Sequence, residues 1–167
     1  MKEFNIGVDY EIKSVGGEAH IVKIQGKDGN LVNLADKGMG SIQLMILLFR
    51  LATKMSERRL GLRSSRNGMT IIVEEPEQNL HPMLQSKLAD LFFTLNQEYG
   101  FKFIIETHSE YLIRKTQVIV GDKYKTEEEL KKNPFRVYYF PADGIPYDMV
   151  YTTSGLFQEK FGDGFIN

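Results

Sequence analysis

The first part of the chain alternates between apolar and polar positions, which predicts β structure. Residues 4–13 and 19–25 both alternate in this way, and Gly16-Gly17 lies between them. Two alternating runs separated by glycines are typical of an antiparallel hairpin. A turn signal then precedes a short extended segment at Leu31–Leu34. We therefore predict a β region over residues 1–34.

The middle of the chain carries denser apolar patterns. Apolar residues occupy almost every face of residues 41–55, which predicts a helix that is buried on all sides. Met69–Val73 is a short, continuous apolar and β-branched run of the kind found in strands buried on both faces. From Leu80 to Leu95 leucine and phenylalanine recur at helical spacing, and Tyr99-Gly100 is a stop signal.

A second strand and helix follow the same order. Phe101–Ile105 predicts another buried strand, and Ser109–Lys115 predicts the start of a helix. Strand–helix–strand–helix order at this spacing predicts parallel strands joined by a crossover. Near the C-terminus, Phe135–Phe140 and Tyr147–Tyr151 predict two short strands separated by a turn. The predicted fold class is α/β, with parallel core strands flanked by helices, an N-terminal antiparallel hairpin and a small C-terminal β extension.

The length of 167 residues fits one globular core, so we predict a single domain over residues 1–167. Within it we distinguish the β region 1–34, a core at 35–120 and an extension at 121–167. The formal net charge is −1, so we do not expect the chain as a whole to bind nucleic acid through its net charge. Cysteine is absent, which excludes disulfides and thiolate metal sites. The N-terminus lacks the apolar stretch of a secretory signal, and Leu44–Phe49, the longest apolar run, is too short to cross a membrane. We expect a cytoplasmic protein without a membrane partner.

Glu74 and Glu75 follow the first predicted core strand directly. Open α/β sheets bind their ligands at the carboxyl ends of the strands. There one carboxylate can hold a hydrated Mg²⁺, and the other can polarise a water for attack on a phosphate. Solvation of a strand end is the alternative interpretation. The sharp exit formed by Pro76-Glu77 leads us to favour the chemical one.

The segment Ile71–Glu77 resembles the Walker B strand of ABC-class ATPases, in which an apolar run precedes two acids and a proline. The resemblance implies that Glu74 orients Mg²⁺ through water and that Glu75 activates the attacking water. Asn79–Pro82 lies where this family has its D-loop, a contact across an ATP-sandwiched dimer. His81 stands in place of the usual aspartate. With this histidine the segment resembles prokaryotic ATPases grouped with the overcoming-lysogenization-defect proteins.

The segment Ile104–Ser109 resembles the switch strand of the same family, whose histidine senses the γ-phosphate of ATP. The resemblance implies that the imidazole of His108 donates a hydrogen bond to the transferred phosphoryl group. A lone histidine after a strand is usually structural, but its position one strand after the Walker B glutamates favours the catalytic role. For Glu106, a place in the metal shell and a structural role remain equally open.

Residues 33–43 resemble the signature loop of this family. The resemblance implies that Gly38 and Gly40 let the backbone approach the phosphates of ATP bound to a partner subunit, while the following helix presents its amides. Ser41 would add a hydroxyl group. Ala35 stands where the family usually has a serine.

The resemblance covers roughly residues 30–165 and implies a partial P-loop NTPase fold of the ABC type. The sequence contains no G-x-x-x-x-G-K-[S/T] pattern and therefore no Walker A motif. We expect ATP and Mg²⁺ to bind only when an upstream Walker A lobe or a split-gene partner completes the site. The complete protein is expected to be a homodimer with a DNA- or defence-related role, and the isolated chain is predicted to be inactive.

Two further hypotheses about function stay open besides the ATPase module. A metal-dependent nuclease would use Glu74, Glu75, Glu77 and Glu106, although the chain after His108 is too short for the nuclease domain of related ATPases. A non-catalytic interaction domain would keep the fold without binding ATP. DNA also stays open as a partner, although an ordinary solvated loop is the favoured interpretation of this segment. The basic residues that cluster before the Walker B strand are Lys54, Arg58, Arg59, Arg63 and Arg66.

Overall fold

The computed structural model describes residues 1–60 and 69–162. The chain forms two compact units. The first consists of Met1–Asn67 with Gln78–His81, and the second of Gly68–Glu77 with Pro82–Asn167. The division into one domain with three segments stays a prediction. Among the described residues, no helix is long and apolar enough to cross a membrane.

The first unit begins with a three-stranded antiparallel sheet in the order β1 (Asp9–Val15), β2 (Ala19–Gln25) and β3 (Leu31–Asn33). The β1–β2 loop contains Gly16 and Gly17, whose φ angles of 63° and 78° lie in the region that favours glycine. This result confirms the predicted N-terminal hairpin.

Helix α1 (Met39–Arg59) follows the sheet and contributes to the core of the first unit. Its Phe49 ring meets the ring of Tyr10 edge-on, with centroids 5.1 Å apart. Ile46, in contrast, is 51% exposed. The prediction of a helix buried on all sides was therefore wrong, because α1 buries Leu44, Met45 and Leu51 but leaves Ile46 exposed. The buried apolar residues of this unit are Phe4, Ile6, Ile24, Leu44, Met45, Leu51 and Leu80.

The second unit contains the predicted strand–helix–strand–helix order. Its elements are β4 (Thr70–Glu74), α2 (Pro82–Tyr99), β5 (Lys102–Glu106) and α3 (Glu110–Lys123). Strands β4 and β5 are parallel and in register, and α2 packs against α3. The parallel pair and its crossover are thus confirmed. Gly100 ends α2 as expected, with a φ angle of 62°.

Burial alternates along both core strands. Ile71 and Phe103 are half-buried, and the ring of Phe103 packs against Phe92 of α2 with centroids 4.9 Å apart. On the other face, Ile72 is 70% exposed and its register partner Ile104 is 59% exposed. The prediction that these strands are buried on both faces was therefore wrong, because the helices of this unit cover one face of the pair.

A small β extension follows α3 and a short helix α4 (Glu127–Leu130). It consists of the antiparallel strands β6 (Val137–Tyr139) and β7 (Tyr147–Met149), as predicted. Tyr151 anchors this extension, because its buried hydroxyl hydrogen-bonds Thr116 of α3 at 2.7 Å. Burial raises the pKa of the Tyr151 phenol, and the hydrogen bond with Thr116 opposes this shift to a smaller extent.

Candidate functional site

The two core strands end in glutamates that lie side by side. Glu74 closes β4, Glu106 closes β5, and the two are register partners. Neighbouring strands lie about 4.8 Å apart, so the two carboxylates share one end of the sheet. Both side chains belong to the exposed face that also carries Ile72 and Ile104. Side chains on the same face of a pair can act on one ligand.

Glu75 has an unusual backbone conformation directly after β4. Its φ angle of 41° lies in the left-handed region, which costs a residue with a side chain about 1 kcal/mol. The Glu75 N–H donates to the carbonyl oxygen of Glu106 at 3.0 Å, so the ladder continues one residue beyond the strand. Backbone strain of this kind is concentrated at functional sites of proteins. The conformation turns the chain away from the sheet at the residue predicted to be the catalytic base.

The structure brings His108 and Glu75 together. The Nε2 atom of His108 lies 3.8 Å from the Oε1 atom of Glu75, a contact that becomes an ion pair when the imidazole is protonated. The distance is too long for a hydrogen bond. The imidazole is 73% exposed and the Glu75 side chain 43% exposed, so both are accessible to a ligand. The roles of these residues stay predictions.

The carboxylates at the sheet end suit a magnesium ion that keeps much of its water shell. Mg²⁺ commonly binds proteins through one or two carboxylates, with water and substrate phosphates as its other ligands. Glu74, with Glu106 beside it, matches that donor set. Among the described residues there is no group of three or more acidic or histidine side chains arranged to hold a metal.

Glu77 is the residue of this site whose role the sequence pattern did not reveal. Its side chain is only 8% exposed, and its Oε1 atom accepts the backbone N–H of His108 at 2.7 Å. The sequence placed Glu77 in a turn after proline, where a glutamate is ordinarily solvated. The sequence signals near Glu77 are the apolar run before it and the histidine at position 108. Neither signal predicts that the Glu77 carboxylate contacts the backbone of His108.

The predicted signature residues lie in the first unit. Gly38 precedes α1 with a φ angle of 87°, and the helix begins at Met39, two residues earlier than predicted. Gly40 and Ser41 consequently lie in the first helical turn. The N–H of Ser41 bonds the carbonyl oxygen of Gly38 at 3.1 Å. The structure thus places all three residues at the start of one helix, and their contact with ATP stays a prediction.

The predicted D-loop residues pack onto the same helical turn. A Cβ atom on Gly40 would lie 2.2 Å from the carbonyl oxygen of Asn79, so only glycine fits there without a shift of the backbone. The side-chain amide of Gln43 donates to Gln78 at 2.9 Å and accepts from Asn79 at 3.0 Å. Gln43 carries no functional signal of its own in the sequence. A glutamine one helical turn after a glycine is a weak sequence signal for such a contact. Only the fold brings Asn79 next to Gln43.

The predicted basic cluster is described in part. Arg58 and Arg59 lie in the last turn of α1 and are exposed, whereas Lys54 forms an ion pair with Glu57 at 2.9 Å. Arg63 and Arg66 lie outside the described residues. The described part of this cluster therefore offers two exposed arginines at a helix end.

Comparison with known proteins agrees with this architecture. A family model described as "AAA ATPase domain" matches residues 2–113. A solved structure described as "Structural biochemistry of ATP-driven dimerization and DNA stimulated activation of SMC ATPases" is similar with a TM-score of 0.54 and 10% sequence identity. The match covers 90% of this chain and 79% of that chain. No match was found among the curated proteins. At this identity the structural likeness shows the fold alone, and it confirms the predicted fold class.

Proposed function

Because the chain belongs to the AAA ATPase domain family, we propose that it is the module of an ABC-type ATPase that supplies the signature loop, Walker B strand and switch histidine. The observation that carries this proposal is the pairing of Glu75 and His108 at the carboxyl end of two parallel strands. Each residue follows a different core strand. Their 3.8 Å separation supports an arrangement in which the carboxylate and the imidazole act on one reacting group.

The proposed roles follow from the chemistry of these side chains. Glu75 orients and activates the water that attacks the γ-phosphate, and His108 donates a hydrogen bond to the transferred phosphoryl group. Glu74 holds Mg²⁺ through a water, and the ion supplies positive charge against the phosphate oxygens. Glu106 is the register partner of Glu74 and would provide a second carboxylate to the hydration shell of the ion.

A Walker A lobe completes the site in this proposal, because no stretch of these 167 residues has a P-loop pattern. The exposed face of the β4–β5 pair supports this view. Parallel sheets are normally covered on both faces, yet Ile72 and Ile104 expose most of their surface. A lobe encoded upstream or separately would cover these two residues and bring its phosphate-binding loop to the end of the sheet.

The signature residues are proposed to act on a second subunit. Gly38 precedes α1, and Gly40 and Ser41 lie in its first turn, where the backbone amides at the N-terminal end of the helix favour an anion. In a homodimer these amides would contact ATP that is bound to the partner. The similar solved structure is described in terms of ATP-driven dimerization and DNA-stimulated activation of SMC ATPases. We propose a dimer and a DNA-related role for this chain on the same pattern, in a cytoplasmic protein.

Reconstitution of ATP turnover tests the proposal. The chain is combined with a Walker A lobe, by restoring the upstream coding segment or by mixing the two polypeptides, and phosphate release is followed with and without Mg²⁺. We expect Mg²⁺-dependent release from the combination and none from the chain alone. A combination that binds a fluorescent ATP analogue without turnover would contradict the catalytic role. Absence of both binding and turnover would favour the non-catalytic interaction domain.

A further inference from the structure

The loop that carries His108 is held firmly on its C-terminal side. Ser109 is 4% exposed, and its Oγ atom donates to the Oε1 atom of Gln85 at 2.6 Å. The same hydroxyl accepts the N–H of Leu112 at 3.0 Å and so caps α3. The backbone after His108 is therefore attached both to α2 and to α3.

Glu77 holds the same loop at His108 itself. Its Oε1 atom accepts the His108 N–H at 2.7 Å, and its Oε2 atom is buried without a hydrogen-bond partner among the described residues. Burying a carboxylate costs free energy, and a hydrogen bond from a backbone amide offsets part of that cost. The hydrogen bond from the His108 N–H to Oε1 is thus the polar contact that stabilises the buried Glu77 carboxylate.

Two hydrogen bonds of opposite direction thus join the turn after β4 to the segment after β5. The Glu75 N–H donates to the Glu106 carbonyl at 3.0 Å, and the His108 N–H donates to the Glu77 carboxylate. Glu75 and His108 are therefore attached to each other through the backbone, although their side chains do not hydrogen-bond. Fixing the backbone beneath the two side chains restricts the positions that each can reach by rotation of its own bonds.

We propose that Glu77 is a positioning residue that sets the placement of His108 relative to Glu75. Its buried carboxylate fixes the His108 backbone, and the imidazole then stands 3.8 Å from the Glu75 carboxylate. This inference rests on the proposed function. It adds that a third glutamate, which touches no substrate, is required for the histidine to reach the phosphoryl group.

Hydrogen exchange of the isolated chain tests the structural half of this inference. Amide exchange at His108 is measured by NMR in the wild type, in Glu77→Ala and in Glu77→Gln, with Glu98→Ala on the exposed side of α2 as the control. A hydrogen bond to a charged acceptor is worth about a 10- to 100-fold slowing of exchange. We expect Glu77→Ala to lose that protection at His108 while the amides of Ile104 and Ile105 keep theirs.

The two variants separate positioning from general stability. Unchanged exchange at His108 in Glu77→Ala would overturn the inference, and so would an equal acceleration throughout β5 and α3. If Glu77→Ala does not fold, the exchange rate of the His108 amide in Glu77→Gln tests the inference instead. Its neutral amide oxygen accepts a weaker bond. A several-fold acceleration confined to His108 supports the inference, and an unchanged rate overturns it.

Kinetics of the reconstituted ATPase test the catalytic half. We expect Glu77→Gln to lower kcat by about 10- to 100-fold with little change in KM, because misplacement by about 1 Å has costs of that size. An unchanged kcat, or a change in KM alone, would overturn the inference. The exchange measurement needs no nucleotide. A failure of the proposed function, seen as absent turnover in the wild type, is therefore distinct from a failure at Glu77.

Discussion

The Nε2 atom of His108 lies 3.8 Å from the Oε1 atom of Glu75, and the pairing of two parallel strands produces this contact. Glu74 and Glu106 are the last register partners of that pair. One residue further along, Glu75 leaves the sheet in a left-handed conformation, and two residues beyond Glu106 the chain reaches His108. The chemistry of the site therefore depends on strand register, since a shift by one residue would separate the two side chains.

Replacement of Gly40 by alanine tests the packing of the Asn79 segment on α1. Alanine ordinarily stabilises a helix relative to glycine by about 1 kcal/mol. Here its Cβ atom would lie 2.2 Å from the carbonyl oxygen of Asn79. We expect Gly40→Ala to lower the free energy of unfolding by about 1–3 kcal/mol, measured by urea titration. Ser41→Ala in the same turn is the control and should stay close to the wild type. A stabilised Gly40→Ala variant would show that the close approach is absent in solution.

Replacement of the exposed apolar pair of the sheet tests the proposed contact with a Walker A lobe. We expect Ile72→Ser with Ile104→Ser to weaken binding of that lobe by about 10-fold or more, because two large apolar side chains lose their burial. Isothermal titration calorimetry provides the dissociation constants. Ile145→Ser is the control, since Ile145 is 86% exposed and lies in the C-terminal extension. Equal affinities for the double variant and the wild type would place the lobe elsewhere.

The buried phenol of Tyr151 predicts a specific loss of stability at high pH. Burial raises the pKa of Tyr151 above its ordinary value near 10, so the folded state keeps the proton longer than the unfolded state does. The stability that the neutral phenol provides is complete below pH 10, and it falls by about 1.4 kcal/mol per pH unit above that value. Tyr151→Phe lacks this titration, although it loses about 1 kcal/mol at neutral pH with the hydrogen bond to Thr116.

Urea unfolding of both proteins at pH 7 and at pH 10–11 checks this prediction. The difference in unfolding free energy between the wild type and Tyr151→Phe should shrink above pH 10. Tyr138→Phe is the control, because Tyr138 is 61% exposed in the same extension and should follow the wild type throughout. A difference that stays constant with pH would contradict the buried, neutral phenol.

The order and type of the elements could be predicted because they depend on local patterns. Alternation predicted the β1–β2 hairpin, and apolar runs separated by a helical repeat predicted the parallel pair of β4 and β5. Burial was less predictable. The runs at Ile72 and Ile104 are apolar on both sides of the strand, but the sequence does not state whether a neighbour covers both faces. The same reason explains why α1 is more exposed than its composition suggests.

The sequence could suggest candidate residues where single side chains carry chemistry, as for Glu75 and His108, whose roles stay predictions. The candidate site was not predictable where distant segments meet. The contact between Glu77 and the His108 backbone, and the fit of Gly40 against Asn79, both join positions far apart in the chain. Such contacts follow from the packing of whole elements, and no local pattern of residue types encodes them.

ATP turnover by the Glu75→Gln variant of the reconstituted protein tests the central claim most directly. Glutamine keeps the size of the side chain and removes the group that activates water. We expect turnover to fall by about 100- to 10,000-fold, as for loss of a general base, while a fluorescent ATP analogue still binds with wild-type affinity. Glu98→Gln on α2 provides a matched control with the same change of charge. Turnover by Glu75→Gln equal to that of the wild type would contradict the assignment of Glu75 as the catalytic base.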